Sequence, residues 1–126
     1  MNFREMILKS GKKIILGRSA ESNDELLKRF RGKRNFILHT ESPGSPFCVI
    51  ESLKPSKSDI QLSAAAVARY SQNWRDNKKD VRVHIFTGMD IEKKNGMIIG
   101  TWGIKAKPKT INVKRQDIIK FENDKT

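Results

Sequence analysis

The chain has 126 residues, and 26 Lys plus Arg stand against 14 Asp plus Glu, a formal charge of +12. That length fits a single domain, residues 1–126, with a real core, and so strong a positive field on a small chain points to a polyanionic partner: RNA, DNA or an anionic membrane. The membrane is disfavoured, because no apolar run approaches the roughly 18 residues that read as a spanning helix, and Arg4 and Glu5 interrupt the apolar N-terminal run that a signal peptide would need.

Residues 3–9 and 12–16 are apolar runs joined at Ser10-Gly11, a β-hairpin pattern that Gly17-Arg18 closes. Ser22 and Glu25 have capping-box spacing, which predicts a short helix over residues 23–30 burying Leu26, Leu27 and Phe30. Lys28, Arg29, Arg31, Lys33 and Arg34 follow without an intervening acid. Lys28 and Arg29 alone would complement a helix C-terminus. The full cluster repels itself and reads as a phosphate-binding patch.

Residues 35–50 organise the chain. A short apolar strand ends at His39, Glu41-Ser42-Pro43-Gly44-Ser45-Pro46 is a dense turn signal, and Phe47-Cys48-Val49-Ile50 is a second strand. The small residues of this loop let a partner come close, and its N–H and hydroxyl groups can face an anion. The plainer alternative is a hairpin turn. Cys48 is the only cysteine, so no internal disulfide forms. A reducing, cytoplasmic setting follows, with Cys48 as a small buried hydrophobe.

Ser56 and Asp59 again have capping-box-like spacing, and Ile60, Ala64, Val67, Ser71 and Trp74 share one helical face. The pattern predicts one long helix over residues 59–75 packed across the sheet, with Tyr70 and Trp74 as core or rim residues rather than base-stacking platforms. After a polar turn, Val81, Val83 and Ile85 alternate with Arg82, His84 and Phe86, a half-buried strand that shows Arg82 and His84 on its outer face. Asn95-Gly96 is a tight-turn signal, and residues 97–102 read as the next strand. Lys105, Lys107 and Lys109 would line one side of an extended segment, which Pro108 places at a sheet edge. There the lysines either hold phosphates or shield the edge from strand pairing. Residues 111–113 resume strand character, residues 116–121 suit a last turn of helix or strand, and the tail over residues 118–126 is expected to fray. The fold class is α+β, a mostly antiparallel sheet of about six strands with one long helix across it and one short helix.

Nothing points to catalysis. A Ser45–His39 nucleophilic pair would need an acid to orient the histidine and an oxyanion site, and Glu41 is not marked as that orienter. Ser10-Gly11-Lys12-Lys13 lacks the earlier glycine of a phosphate-binding P-loop and precedes a strand. No dinucleotide fingerprint, paired-carboxylate motif or Cys/His metal cluster is present, so no enzyme activity, cofactor or metal is expected. The few aromatics argue against a single-strand stacking platform, and no helix carries a base-reading face. Backbone and shape recognition of structured RNA remains. The candidate RNA-binding residues are Arg18, Arg29, Arg31, Lys33, Arg34, His39, Ser42, Gly44, Ser45, Arg82, His84, Lys105, Lys107 and Lys109. A protein–protein adaptor whose charge supplies only general attraction is the main alternative, with a His/Ser hydrolase behind it.

The stretch His39-Thr40-Glu41-Ser42-Pro43-Gly44-Ser45-Pro46-Phe47 resembles the central motif of the NFACT-R domain family, a strand ending in His followed by a Pro-Gly-Ser loop and an apolar strand. Gly17-Arg18-Ser19 with Asn23-Asp24, the Ala-rich run from Ser58 to Tyr70-Ser71, and Val81 to Thr87 followed by Lys93-Lys94-Asn95-Gly96-Met97 are similar to further family motifs in the same order. The chain departs from the family at Asn35-Phe36-Ile37, where Asp-x-Trp is common, and at Pro46-Phe47, where many members carry a second His. The resemblance implies an RNA-binding domain acting on tRNA or ribosomal RNA, with the large ribosomal subunit as a partner in ribosome quality control. For a small stand-alone member it implies a role in RNA processing or modification. Neither the tRNA-binding region nor the coiled coil of the long family proteins fits in this chain.

Overall fold

The structure, a computed structural model, describes residues 2–124. Among these residues the chain forms β1 (Arg4–Ile7), β2 (Lys13–Leu16), α1 (Ala20–Phe30), β3 (Phe36–Thr40), β4 (Cys48–Ile50), α2 (Lys57–Arg69), α3 (Gln72–Asn77), β5 (Val81–Thr87), β6 (Ile91–Glu92), β7 (Gly103–Ile104), β8 (Lys109–Val113) and α4 (Arg115–Asp124). Six strands make one sheet in the order β1-β2-β4-β3-β5-β8, and β6 and β7 pair separately. Every pairing is antiparallel. This is the expected α+β class with a six-stranded antiparallel sheet, and the Pro108 segment leads into an edge strand as expected.

Side-chain alternation gives the sheet two buried faces. Leu16, Leu38, Cys48, Ile50, Val83 and Val113 pack against the Ala-rich face of α2, Trp74 of α3, and Ile118 and Phe121 of α4. Ile15, Ile37, Val49, Phe47 and Phe86 pack on the other side against Leu26 and Leu27 of α1, with Ile91 and Trp102. Burial on both sides explains the nearly continuous apolar runs of β2 and β4. His39, Arg82 and His84 share the α1 face by the same alternation and carry it beyond the helix.

The helices differ from the sequence-based expectation. α1 starts before Ser22, because Ser19 is its N-cap. The Ser19 hydroxyl accepts the Ser22 N–H at 3.1 Å, and the Ser22 hydroxyl accepts the Ser19 N–H at 2.9 Å. The Ser56–Asp59 box forms as read, at 3.0 and 2.8 Å. Asp59 also accepts from the Ser10 hydroxyl at 2.6 Å and from Lys12 at 3.1 Å, which ties the start of α2 to the β1–β2 hairpin. The long helix over residues 59–75 is instead two helices. Ser71 breaks it: its hydroxyl donates to the Ala68 carbonyl at 2.7 Å and accepts the Trp74 N–H at 3.1 Å, starting α3. With α1 and α4 there are four helices among the described residues, none of which is long and apolar enough to cross a membrane.

Residues 97–102 are not a strand. They form turns, with Ile98 and Ile99 exposed at 77% and 57%. The expected frayed tail is instead largely α4, whose Ile118 and Phe121 are buried. Lys125 and Thr126, the end of that expectation, lie outside the described residues.

Candidate nucleic-acid interface

Adjacency of β3 and β5 sets His39 directly opposite His84 on the sheet. The chain leaving β3 stays beside β5: the Glu41 N–H donates to the Arg82 carbonyl at 2.9 Å. The Glu41 carboxylate accepts from Arg82 Nε at 2.9 Å and lies 3.4 Å from His84 Nε2. The Arg82 hydrogen bond is the main influence holding the Glu41 carboxyl below its ordinary range.

The His39 ring stacks on Phe47, with centroids 4.2 Å apart and planes inclined at 29°. Its Nδ1 lies 2.8 Å from the Thr40 carbonyl. A carbonyl only accepts, so this nitrogen carries the proton. Burial pushes the imidazole below its usual 6.5, and the Thr40 carbonyl and Ser45 backbone oppose this without overcoming it. His39 is therefore a neutral ring near pH 7 and does not act as a cation toward phosphate.

The loop after β3 is bonded internally. The Ser45 hydroxyl accepts the Thr40 N–H and donates to the Pro46 carbonyl, both at 3.1 Å. Gly44 has a φ of +91°, which favours glycine. Its carbonyl accepts the Gln72 N–H at 2.8 Å, which docks the loop on the start of α3. The Ser45 proton is thus already committed, and Ser45 shapes the loop.

α1 supplies the opposite wall. A side chain at position 17 would overlap the Asn23 amide, so Gly17 gives Asn23 its place. Asn23 Oδ1 then accepts the Phe47 N–H at 3.1 Å. The next residue, Asp24, accepts from the Gly100 N–H at 2.8 Å, the Trp102 indole at 2.9 Å and Lys93 at 3.2 Å, all on Oδ1. Burial raises the pKa of this carboxyl, but the three donors together outweigh it and hold Asp24 below its usual value. Lys93 also donates to the carbonyls of Ile98 at 2.9 Å and Thr101 at 2.6 Å. These bonds fix the course of residues 93–102.

Between the 41–47 loop and residues 99–104 lies an open groove of about 410 Å³, lined among others by His39, Phe47, Asn23, Ile99 and Trp102. A second cavity, about 340 Å³, lies on the opposite face between α2, β8 and α4. Asp117 and Asp124 line it together with Lys9 and Lys120, so its charges balance and it has no excess of positive charge to draw an anion.

The structure brings together His39, Gly44, Ser45, Arg82 and His84. Arg18 directly precedes the α1 cap, the Arg31 guanidinium lies 5.8 Å from the Trp102 ring centre, and Lys105 follows the groove residue Ile104. Ser42 is exposed on the loop, and Arg34 lies between α1 and β3. Arg29 pairs with Glu25 at 3.5 Å and sits over Phe3, while Lys33 sits over Phe30. Lys109 is opposite Ile85 and belongs to the α2–α4 face, and Lys105 and Lys107 precede β8, so the three lysines do not form one strand row. Asn23, Asp24, Glu41, Ile99 and Trp102 were not singled out as site residues by the sequence. The Asn23-Asp24 helix start and the place of Glu41 in the loop after His39 were the signals visible there. Among the described residues, no group of three or more His, Cys, Asp or Glu could hold a metal ion.

Residues 4–98 match the family described as NFACT protein RNA binding domain. No curated protein matches the chain. Among solved structures, the fold is similar to the C-terminal part of the fibronectin/fibrinogen-binding protein from Streptococcus suis, with a TM-score of 0.82 and 23% identity. The similarity covers 95% of this chain and 48% of that one, so the present chain spans about half its length.

Proposed function

The chain belongs to the NFACT protein RNA binding domain family, and from that premise we propose that it binds structured RNA, tRNA or ribosomal RNA, through phosphate backbone and helix shape. It does so as a binding module rather than an enzyme, in the cytoplasm, in ribosome quality control or in RNA processing and modification. The large ribosomal subunit is the proposed larger partner.

The observation that carries this reading is the origin of the cations around the groove. Arg31, Arg82 and Lys105 come from three separate parts of the chain, and each adjoins or touches a residue lining that groove, while Arg18 lies two residues before the lining residue Ala20. Such convergence suits several phosphates of one folded RNA. The commitment of the Ser45 proton to a carbonyl favours binding over nucleophilic chemistry.

The test is capture of the tagged protein from lysate with and without nuclease, with sequencing of the bound RNA. Recovery of tRNA or ribosomal RNA, and loss of ribosomal proteins after nuclease, is the expected result. Partners that survive nuclease, with no enriched RNA, would replace this reading with the protein adaptor.

A further inference from the structure

We infer that the groove beside His39 receives one unpaired nucleobase of the bound RNA, stacked against the His39 ring, with Ile99 as the apolar wedge that holds it out of the helix. This rests on the RNA-binding reading and adds to it a substrate class: structured RNA carrying an extruded nucleotide.

The groove has the right surfaces. The His39 ring is fixed from behind by Phe47, whose ring meets Phe86 edge-on with centroids 6.5 Å apart. An imidazole ring supported in this way is a stacking platform of the size of a single base, and RNA proteins stack splayed-out bases on His, Phe, Tyr and Trp. Trp102 and Ile99 line the groove from the other side. Asn23, whose Oδ1 accepts from Phe47, places an amide at the wall.

The wedge is exposed yet held. Ile98 and Ile99 are adjacent and largely solvent-exposed, a costly arrangement for two aliphatic residues unless something covers them. They are not on a loose loop. Gly100 N–H is bonded to Asp24, and the Ile98 and Thr101 carbonyls are bonded to Lys93. Apolar wedges on such frames separate stacked bases in nucleic-acid complexes.

Charge selects a base over a phosphate inside the groove. Glu41 lines it, and Arg82 and His84 already engage its carboxylate. A phosphate at that end would be repelled by the carboxylate, while a neutral base would not. Arg18, Arg31 and Lys105 lie outside the groove, where the phosphates on either side of an extruded nucleotide would run.

The experiment compares two synthetic RNA hairpins identical except for one bulged nucleotide, a 2-aminopurine, read by anisotropy and by 2-aminopurine fluorescence. The bulged RNA should bind about 10-fold tighter, in keeping with single-base stacking on one ring, and the fluorophore signal should change on binding. Ile99→Ser, at an exposed position that does not support the fold, should bring the bulged-to-paired affinity ratio close to one, and His39→Ala should do the same. Salt-dependent binding of both RNAs with equal affinity and an unchanged 2-aminopurine signal would overturn the inference and leave the RNA-binding reading standing. Binding of neither RNA would overturn both.

Discussion

The indole N–H of Trp102 donates to the Asp24 carboxylate at 2.9 Å, across a sequence separation of 78 residues. The same oxygen accepts from Gly100 and Lys93, so one buried side chain in the first turns of α1 orders the segment that forms a wall of the groove. The geometry joins stability and candidate site in a single residue.

Asp24→Ala should therefore lower stability by about 2–4 kcal/mol, because it leaves an indole N–H and a backbone N–H without their acceptor and takes the carboxylate from Lys93, which keeps the Ile98 and Thr101 carbonyls. Asp24→Asn should fall between, since its amide oxygen can still accept but carries no charge for Lys93. Urea unfolding gives the order. A loss for Asp24→Ala within about 0.5 kcal/mol, the size of an ordinary surface change, would mean that residues 93–102 are held by something else.

The parts legible in the sequence were those set by neighbours along the chain. Ser56 and Asp59 cap α2 through three-residue spacing alone, and the Pro-Gly turn after His39 joins two strands that do pair. What was missed depends on the meeting of distant segments. Ser19 and Ser22 both suit an N-cap. Ser19 is used because Asn23 must fit against Gly17 and accept from Phe47, which places residue 22 inside the helix. The helical period runs unbroken from Ile60 to Trp74, so it could not show that Ser71 caps a new helix whose first N–H is taken by Gly44. Met97 to Trp102 has a strand's composition, but its backbone is bonded to Asp24 and Lys93 instead of a ladder. In the site, His39 and its loop stood out by motif, while the roles of Glu41, Asp24 and Ile99 required knowing that β3 lies beside β5 and α1 beside residues 93–102.

Stability should fall in two stages as pH drops. His39 has a folded-state pKa below 6.5, chiefly from burial, so the unfolded chain binds its proton first. Its contribution is complete above 6.5 and declines as pH falls below that value. Asp24 and Asp59 are held below 3.8, Asp59 mainly by the Ser10 hydroxyl, so their contributions are complete above about 3.8 and decline below it. Thermal unfolding from pH 7.5 to pH 3 reads both stages. His39→Phe keeps a ring on Phe47 and should remove much of the upper stage, and Asp59→Asn should flatten the lower one. An upper stage unchanged in His39→Phe would assign it to another group.

The salt dependence of RNA binding should map the charged surface. Replacing Arg18 and Arg31 with Ala should flatten the slope of log K against log salt by about 0.7–0.9 for each phosphate that is no longer neutralised. Lys109→Ala should leave the slope alone, because its register partner Ile85 places it on the α2–α4 face, away from the groove. If Lys109→Ala flattens the slope as much as Arg31→Ala does, the RNA reaches around the β8 edge and the interface is wider than the groove.

Gly44 should tolerate no β-branched side chain, for two separable reasons. Its φ of +91° is strained for any L side chain, at about 1–2 kcal/mol. A Cβ there would also come within 3.0 Å of Gln72 Cβ, tighter than ordinary packing. Gly44→Val should break the bond from the Gln72 N–H to the Gly44 carbonyl, release the loop from α3 and weaken RNA binding through the displaced groove wall. Hydrogen exchange at the Gln72 amide reads the first effect directly: slow in the parent protein, fast in Gly44→Val. Gly44→Asn should be milder, since Asn accepts positive φ more readily than other residues. Adding Gln72→Gly to Gly44→Ala should restore only the part due to crowding. A Gln72 amide still protected in Gly44→Val would show that the loop holds its place without this bond, and weakened RNA binding would then need another cause.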